Sequence, residues 1–537
     1  MVSAADPRAA AAGVEMLRAG GSAADAAFAT LIALTVVEPQ SSGIGGGGFL
    51  VYEDGDGRPE TYDGREEAPS AATGEWFFVD GKPLGVGEAI PGGRSVGVPG
   101  NIRMMALAHR EHGKLLWAKL FEPAIRLARE GFVVTKRLNF ALARGDDEGS
   151  SVAALTPTGR ALYFGADGKP LPVGAVVRNP ALAAFLEQVA ARGPDSFYVG
   201  PNAQAIAATV SGSSRNPAPM SAGDVATYDA KERPAVCGEY RRHRVCSMGP
   251  PSSGMTTMFA ILKQLERFDL AALGPNSPTS WHLFAESTRL AFADRDRYLA
   301  DPDHVAVPVA GLIDPGYLAR RSALIAPDRT MASVAAGVPA GAPVVTAGLE
   351  PQENGTSHFV AVDRWGHVAS LTSTIESAFG SGLMVNGYYL NNELTDFSLV
   401  PSKNGVPVAN RVEGGKRPRS SMTPTIVYSP DGHVRLAVGA AGGATIIVQV
   451  AKAIIGVIDW KLSAQEAIAS PTVFSPYGDV WVEQGTSLES MILALKELGH
   501  ERVAARPPGF KANAIEYVGG RWVGAADPRS EGAAVSE

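Results

Sequence analysis

Residues 23–37 hold one charged side chain, Asp25, among alanines, aliphatics, a phenylalanine and two threonines. Read as a helix, this stretch has no polar face, and such a helix is expected to be fully buried. Ser22 can cap it, with Asp25 three residues on as a capping-box variant, and Glu38-Pro39 ends it. Hiding a helix completely takes a large core, and 537 residues provide one, three or four domain-equivalents at roughly 150 residues each. Before it, a helical pattern runs from Pro7 to the Gly20-Gly21 stop. Further helical patterns cover Ile102–His112, Trp117–Gly131, Thr256–Phe268 and Trp281–Tyr298. Strand patterns cover Phe49–Tyr52, Ser357–Val362, His367–Thr374, Thr425–Tyr428 and Val434–Val438. The interleaving predicts a mixed α/β chain, and Val334–Val344 reads as an exposed connector.

With 48 Lys+Arg against 55 Asp+Glu the net charge is −7, and no long basic block occurs. Nucleic acid is therefore not expected as the main partner. Leu436–Ala451, a long apolar uncharged stretch, contains three glycines and a glutamine and falls short of a bilayer span, so no membrane span is expected. The first residues lack a basic and an apolar leader region. The expectation is a cytoplasmic chain if Met1 is native, or a periplasmic or secreted one if a leader was removed.

Cys237 and Cys246 exclude a disulfide framework and a four-cysteine zinc site. They flank a possible hairpin and could form one bridge, although two free or buried thiols are the plainer expectation. Gly43–Gly48 satisfies G-x-G-x-x-G, but a helix precedes it and a strand follows, the reverse of a dinucleotide loop. Close backbone packing beneath a site accounts for it better. His109 and His112 lie three apart on one helix without a third ligand, which predicts a solvated helix end and no metal.

The block Asn354-Gly355-Thr356-Ser357-His358 leads a Gly-Thr bond into an apolar strand. Its ordinary reading is a turn and a strand. If the chain is cut there, however, Thr356 carries a hydroxyl and a free α-amine, whose pKa near 7.7–8.0 suits it to take the hydroxyl proton.

Downstream stand Thr372–Glu376, Phe379–Gly382, Leu390–Ser398 and Gly415–Thr425. Upstream stand Val37–Phe49, Gly64–Pro69, Gly97–Gly100 and Pro250–Gly254, and Ala526–Arg529 closes the chain. Together, and in order, these resemble the γ-glutamyltransferase (γ-glutamyl transpeptidase, glutathione hydrolase) family of N-terminal nucleophile hydrolases. The resemblance implies an α+β, four-layer αββα sandwich. It also implies a precursor cut between Gly355 and Thr356 into a large subunit, 1–355, and a small one, 356–537, which pair as a heterodimer. Thr356 would be the nucleophile, Thr374 would orient it, and the Gly442-Gly443 amides would form the oxyanion hole. Arg65, with Ser420 and Ser421, would hold a substrate α-carboxylate. Glu393 and Asp396, with Glu376, would receive its α-ammonium. No cofactor is implied. The implied substrates are glutathione and related γ-glutamyl amides, with water or an amino acid as acceptor.

Some positions depart from the family pattern. Glu376 stands where many members have Asn, Thr395 replaces the first Asp of a common pair, and Val360, His367 and Gly249 differ from the usual signature. The lid region, 399–415, is unlike familiar lids. Two alternatives stay open: a glutaryl or cephalosporin side-chain acylase on the same fold, and an unprocessed, non-catalytic binding protein. A glutaryl chain has no ammonium and would leave the three acids buried without a partner.

Overall fold

The computed structural model describes residues 1–144, 151–348, 355–509 and 511–537. Two antiparallel sheets form its centre. The first runs in the order Ala533–Val535, Val2–Ala4, Ser357–Val362, Val368–Thr374, Gly47–Glu53, Glu60–Asp63 and Lys231–Pro234. The second runs Arg521–Ala526, Lys511–Val518, Val434–Ala441, Thr425–Tyr428, His243–Ser247 and Val236–Tyr240. Strands from the beginning, middle and end of the chain are interleaved in the first sheet, so residues 1–355 and 356–537 do not form separate globules.

Three apolar layers define the sandwich. One joins the first sheet to helices Pro7–Arg18, Ala23–Val37 and Asn101–His112. A thin middle layer, including Val51, Val360, Val362, Val368, Ile426 and Ala437, lies between the sheets. The third joins the second sheet to helices Gly254–Leu265, Pro278–Tyr298 and Thr445–Ile458. Side chains alternate accordingly along Ser357–Val362: Phe359 and Ala361 enter the helix-side core, while Val360 and Val362 face the other sheet. Both faces of this strand are covered, and all six of its residues are buried. The expected αββα order is the one observed.

The apolar helix behaves as its sequence dictates. All fifteen residues of Ala23–Val37 are buried, and Ser22 and Asp25 form the reciprocal capping box. The Trp117–Gly131 pattern divides into a 3-10 turn, Trp117–Phe121, and an α-helix, Glu122–Glu130 that has Pro123 in its first turn. The connector around Val334–Val344 is irregular, with Val338 and Val344 exposed.

The expectation of two free thiols is corrected: Cys237 and Cys246 form a disulfide. They face each other directly in the Val236–Tyr240/His243–Ser247 hairpin, with Cα atoms 4.2 Å apart. Arg241 and Arg242, both at positive φ, form its two-residue turn. The solvated reading of His109 and His112 is also corrected. His109 is half-buried and 3.0 Å from the Leu115 carbonyl, while His112 stacks on Tyr52 and approaches the Tyr62 hydroxyl at 2.7 Å. The two imidazoles have different partners. Among the described residues, no helix is long and apolar enough to cross a membrane.

Candidate active site

Strands Ser357–Val362 and Val368–Thr374 pair in a register that sets Ser357 opposite Ser373 and His358 opposite Thr372. One step further, Thr356 and Thr374 meet at the open end of the two strands. The Thr356 hydroxyl lies against the carbonyl oxygen of Gly355 and 3.4 Å from the Thr374 hydroxyl. Thr374 donates to the same carbonyl at 3.0 Å and accepts from the Glu376 N–H at 2.7 Å. The one carbonyl at the expected cut thus has both hydroxyls beside it. Asn354, on its other side, lies outside the described residues.

The glycine run supports this end of the strand. A Cβ on Gly46 would collide with the Thr374 carbonyl, and one on Gly47 with the Glu66 carboxyl. Close backbone approach, and not nucleotide binding, explains these glycines. A buried ion pair holds the next residue: Ser357 donates to Glu38 at 2.7 Å, and Lys511 donates to Glu38 at 2.8 Å. Burial lowers the Lys511 ammonium to about 8, against the opposing pull of Glu38. His358, facing the second sheet, accepts or donates at 2.8 Å to Thr372, and burial drops it to about 3, so it stays neutral.

Arg65 is fully buried and central to a second cluster. Its guanidinium pairs with Glu393 and Asp396, and it donates to the Pro418 and Arg419 carbonyls at 3.0 and 2.9 Å. Three predicted substrate-binding residues therefore converge, but as mutual partners in the uncut chain. Glu66 lies 3.8 Å from Arg65. Burial raises Glu66 to about 7 despite that positive neighbour. Glu376, at φ 73°, accepts from Ser377 at 2.5 Å and from Asn392, which links it to the turn carrying Glu393.

Ser420 and Ser421 follow the two carbonyls that bind Arg65, yet their hydroxyls are engaged elsewhere. Ser420 Oγ accepts from the Met422 N–H at 3.1 Å, and Ser421 Oγ accepts from Arg295 at 2.8 Å. Gly442 and Gly443, at φ 121° and 60°, connect strand Val434–Ala441 to helix Thr445–Ile458. Both conformations favour glycine. Gly355 and Gly442 line one cavity of about 500 Å³, whereas Arg65, Glu376, Glu393, Asp396, Ser420 and Ser421 are not among its lining residues.

A family model for gamma-glutamyltranspeptidase matches residues 9–536. The chain belongs to the gamma-glutamyltranspeptidase family. It is 34% identical to the glutathione hydrolase proenzyme of Bacillus subtilis (strain 168), covering 100% of this chain and 91% of that protein. It is also 34% identical to the acylase ACY 1 proenzyme of Pseudomonas sp. (strain SE83), covering 100% of this chain and 93% of that one. Among solved structures, cephalosporin acylase from Bacillus halodurans superposes with a TM-score of 0.85 at 26% identity, covering 99% of this chain and 94% of that chain. This gamma-glutamyltranspeptidase-family chain is an enzyme with the N-terminal nucleophile hydrolase fold, as its sequence motifs imply.

Several residues of this gamma-glutamyltranspeptidase-family site carried no role in the sequence reading: Glu38, Glu66, Asn392, Arg295 and Lys511. Glu38, Glu66 and Asn392 sit inside quoted motifs, so their positions were visible although their partners were not. Arg295 and Lys511 reach the site from a helix and a strand whose proximity only the fold reveals. Segment 399–415 contains a small hairpin, Ser402–Lys403 with Val406–Pro407, turned by Asn404-Gly405 at positive φ.

Proposed function

We propose that Thr356 attacks the Gly355 carbonyl, and that the freed Thr356 then hydrolyses or transfers γ-glutamyl groups from amides such as glutathione. The observation that carries this is the pair of threonine hydroxyls at one carbonyl. In the first stage Thr356 Oγ1 adds to the Gly355 carbon, and Thr374 donates to the oxygen as it becomes negative. The C–N bond breaks, leaving a Gly355–Thr356 ester and a free amine. Water then releases the Gly355 carboxylate, giving subunits 1–355 and 356–537. In the second stage that amine takes the hydroxyl proton, and Thr356 attacks the γ-carbonyl of the substrate. The Gly442-Gly443 amides stabilise the oxyanion, the amine leaves, and water or an amino acid accepts the acyl group.

The acid-rich Arg65 cluster supports a γ-glutamyl donor. The substrate carboxylate would exchange onto Arg65, with Ser420 and Ser421 beside it, while its ammonium would take the place of the guanidinium near Glu393, Asp396 and Glu376. Acids and a guanidinium side by side suit a donor that carries both an ammonium and a carboxylate. The full-length likeness to cephalosporin acylase supports a second reading, in which the acyl group is a glutaryl-type chain. Cleavage of γ-glutamyl and glutaryl 4-nitroanilides by processed protein separates the two. A higher kcat/KM for the γ-glutamyl compound is expected, and a clear glutaryl preference would reverse the assignment.

A further inference from the structure

The buried ion pair beside the nucleophile strand ties together three parts of the chain that the reaction needs in register. Glu38 follows helix Ala23–Val37 in the first piece expected from the cut, while Ser357 and Lys511 belong to the second. Ser357 is the neighbour of Thr356 and pairs with Ser373, one step before Thr374. Lys511 opens strand Lys511–Val518 and stands opposite Ala441, the residue before Gly442. One carboxylate oxygen of Glu38 accepts from the Ser357 hydroxyl at 2.7 Å and from the Lys511 ammonium at 2.8 Å. That ammonium also donates to the Ser357 hydroxyl oxygen at 3.2 Å. All three side chains are buried. Burial opposes the Glu38 charge, yet Lys511 and Arg137, with the Ser357 hydroxyl, hold its carboxyl below the ordinary carboxylate range. A second contact runs the same way: the Ile375 N–H, next to Thr374, donates to the Ser41 carbonyl at 3.3 Å. The segment after the helix therefore grips both strands that carry the threonines.

Cleavage changes what this grip must do. In the uncut chain Thr356 is held from both sides, by the peptide bond to Gly355 and by Ser357, and the Gly355 carbonyl is itself bonded to Thr374. The cut removes the first hold. Thr356 then ends its strand, and chain ends fray unless they are tied down. What remains is the pairing of Ser357 with Ser373 and the bond from Ser357 to Glu38. A buried ion pair is weak evidence for stability, and fixing register is its best-attested use.

We propose that Glu38 and Lys511 are positioning residues for turnover, acting through Ser357 to hold the released Thr356 terminus at a fixed distance from the Gly442-Gly443 amides. The inference rests on the assignment of Thr356 as nucleophile. Self-cleavage depends on this strut far less, because there the reacting carbonyl is attached to Thr356. A misplacement of about 1 Å at a reacting group can cost about 10²-fold in rate, so turnover suffers where processing does not.

The test compares Ser357→Ala, Ser357→Thr and the double variant Glu38→Gln/Lys511→Met with wild type. Ser357→Ala keeps the ion pair and removes only its grip on the strand, and the double variant leaves no lone buried charge. Freshly made protein on a denaturing gel gives the half-life of self-cleavage. Processed protein then gives kcat and KM for γ-glutamyl 4-nitroanilide. In Ser357→Ala and the double variant, kcat should fall about tenfold or more, with KM and the self-cleavage half-life within about threefold of wild type. Ser357→Thr, which keeps the hydroxyl, should recover most of kcat. Processing and turnover slowed by the same factor, or kcat within about twofold of wild type in both variants, overturns the inference. If the double variant does not fold, Ser357→Ala decides alone. If wild type cleaves only glutaryl 4-nitroanilide, the γ-glutamyl reading fails, and the same comparison on that substrate decides the role of the strut. If active wild-type protein proves uncut, the nucleophile assignment and this inference fall together.

Discussion

Replacing Thr374 with valine would remove one hydroxyl while keeping nearly the same shape. In the uncut chain that hydroxyl donates to the Gly355 carbonyl at 3.0 Å and accepts from the Glu376 N–H at 2.7 Å. The two bonds bear on different quantities. The donated bond strengthens as the carbonyl oxygen gains charge, and loss of one such donor costs about 2.7–4 kcal/mol, or roughly 10²–10³ in rate. The accepted bond is present before and during attack, so its loss falls mainly on stability, at about 1–3 kcal/mol for a buried unpaired N–H. Thr374→Val is therefore expected to lengthen the half-life of self-cleavage at least about 100-fold. Thr374→Ser, which keeps the donor, should restore most of the rate. Freshly synthesised protein sampled over time on a denaturing gel gives both values. Cleavage of Thr374→Val within threefold of wild type would refute this role.

Thr356→Ala should remain a single chain with no amidase activity, and its appearance as two pieces cut before residue 356 would remove the nucleophile assignment. Gly46→Ala should slow processing and lower stability by about 1–3 kcal/mol, because its methyl must displace a backbone carbonyl; an unchanged melting temperature would show that the site is less tightly built. Glu66 is raised from 4.5 to about 7 by burial, so between those values the unfolded chain holds fewer protons and folding stability falls as pH rises. Relative to Glu66→Gln, in the uncut Thr356→Ala background, stability should fall as pH rises from the ordinary carboxylate range towards neutrality and then level off. A pH-independent difference in denaturant midpoints would contradict it.

Periodic and capped segments were legible in the sequence because their signals are local. Ala23–Val37 declared its burial through composition and its start through Ser22 and Asp25. Thr356 and Thr374 were legible through motifs, and strand register explains why these two meet. What stayed hidden depended on distance along the chain. Cys237 and Cys246 needed a register that places them opposite each other. Arg65 was named as a ligand for substrate, but its pairing with Glu393 and Asp396 joins residues more than 300 positions apart. Arg137 and Arg506 belong to no motif, and only the fold brings them to the cavity that Gly355 and Gly442 also line.

The most direct measurement is N-terminal sequencing, with intact mass, of the purified active protein. Two polypeptides are expected, the smaller beginning Thr-Ser-His-Phe at residue 356. An active enzyme that proves to be one uncut chain, or a new terminus at any other residue, would contradict the assignment of Thr356 as both the site of cleavage and the nucleophile.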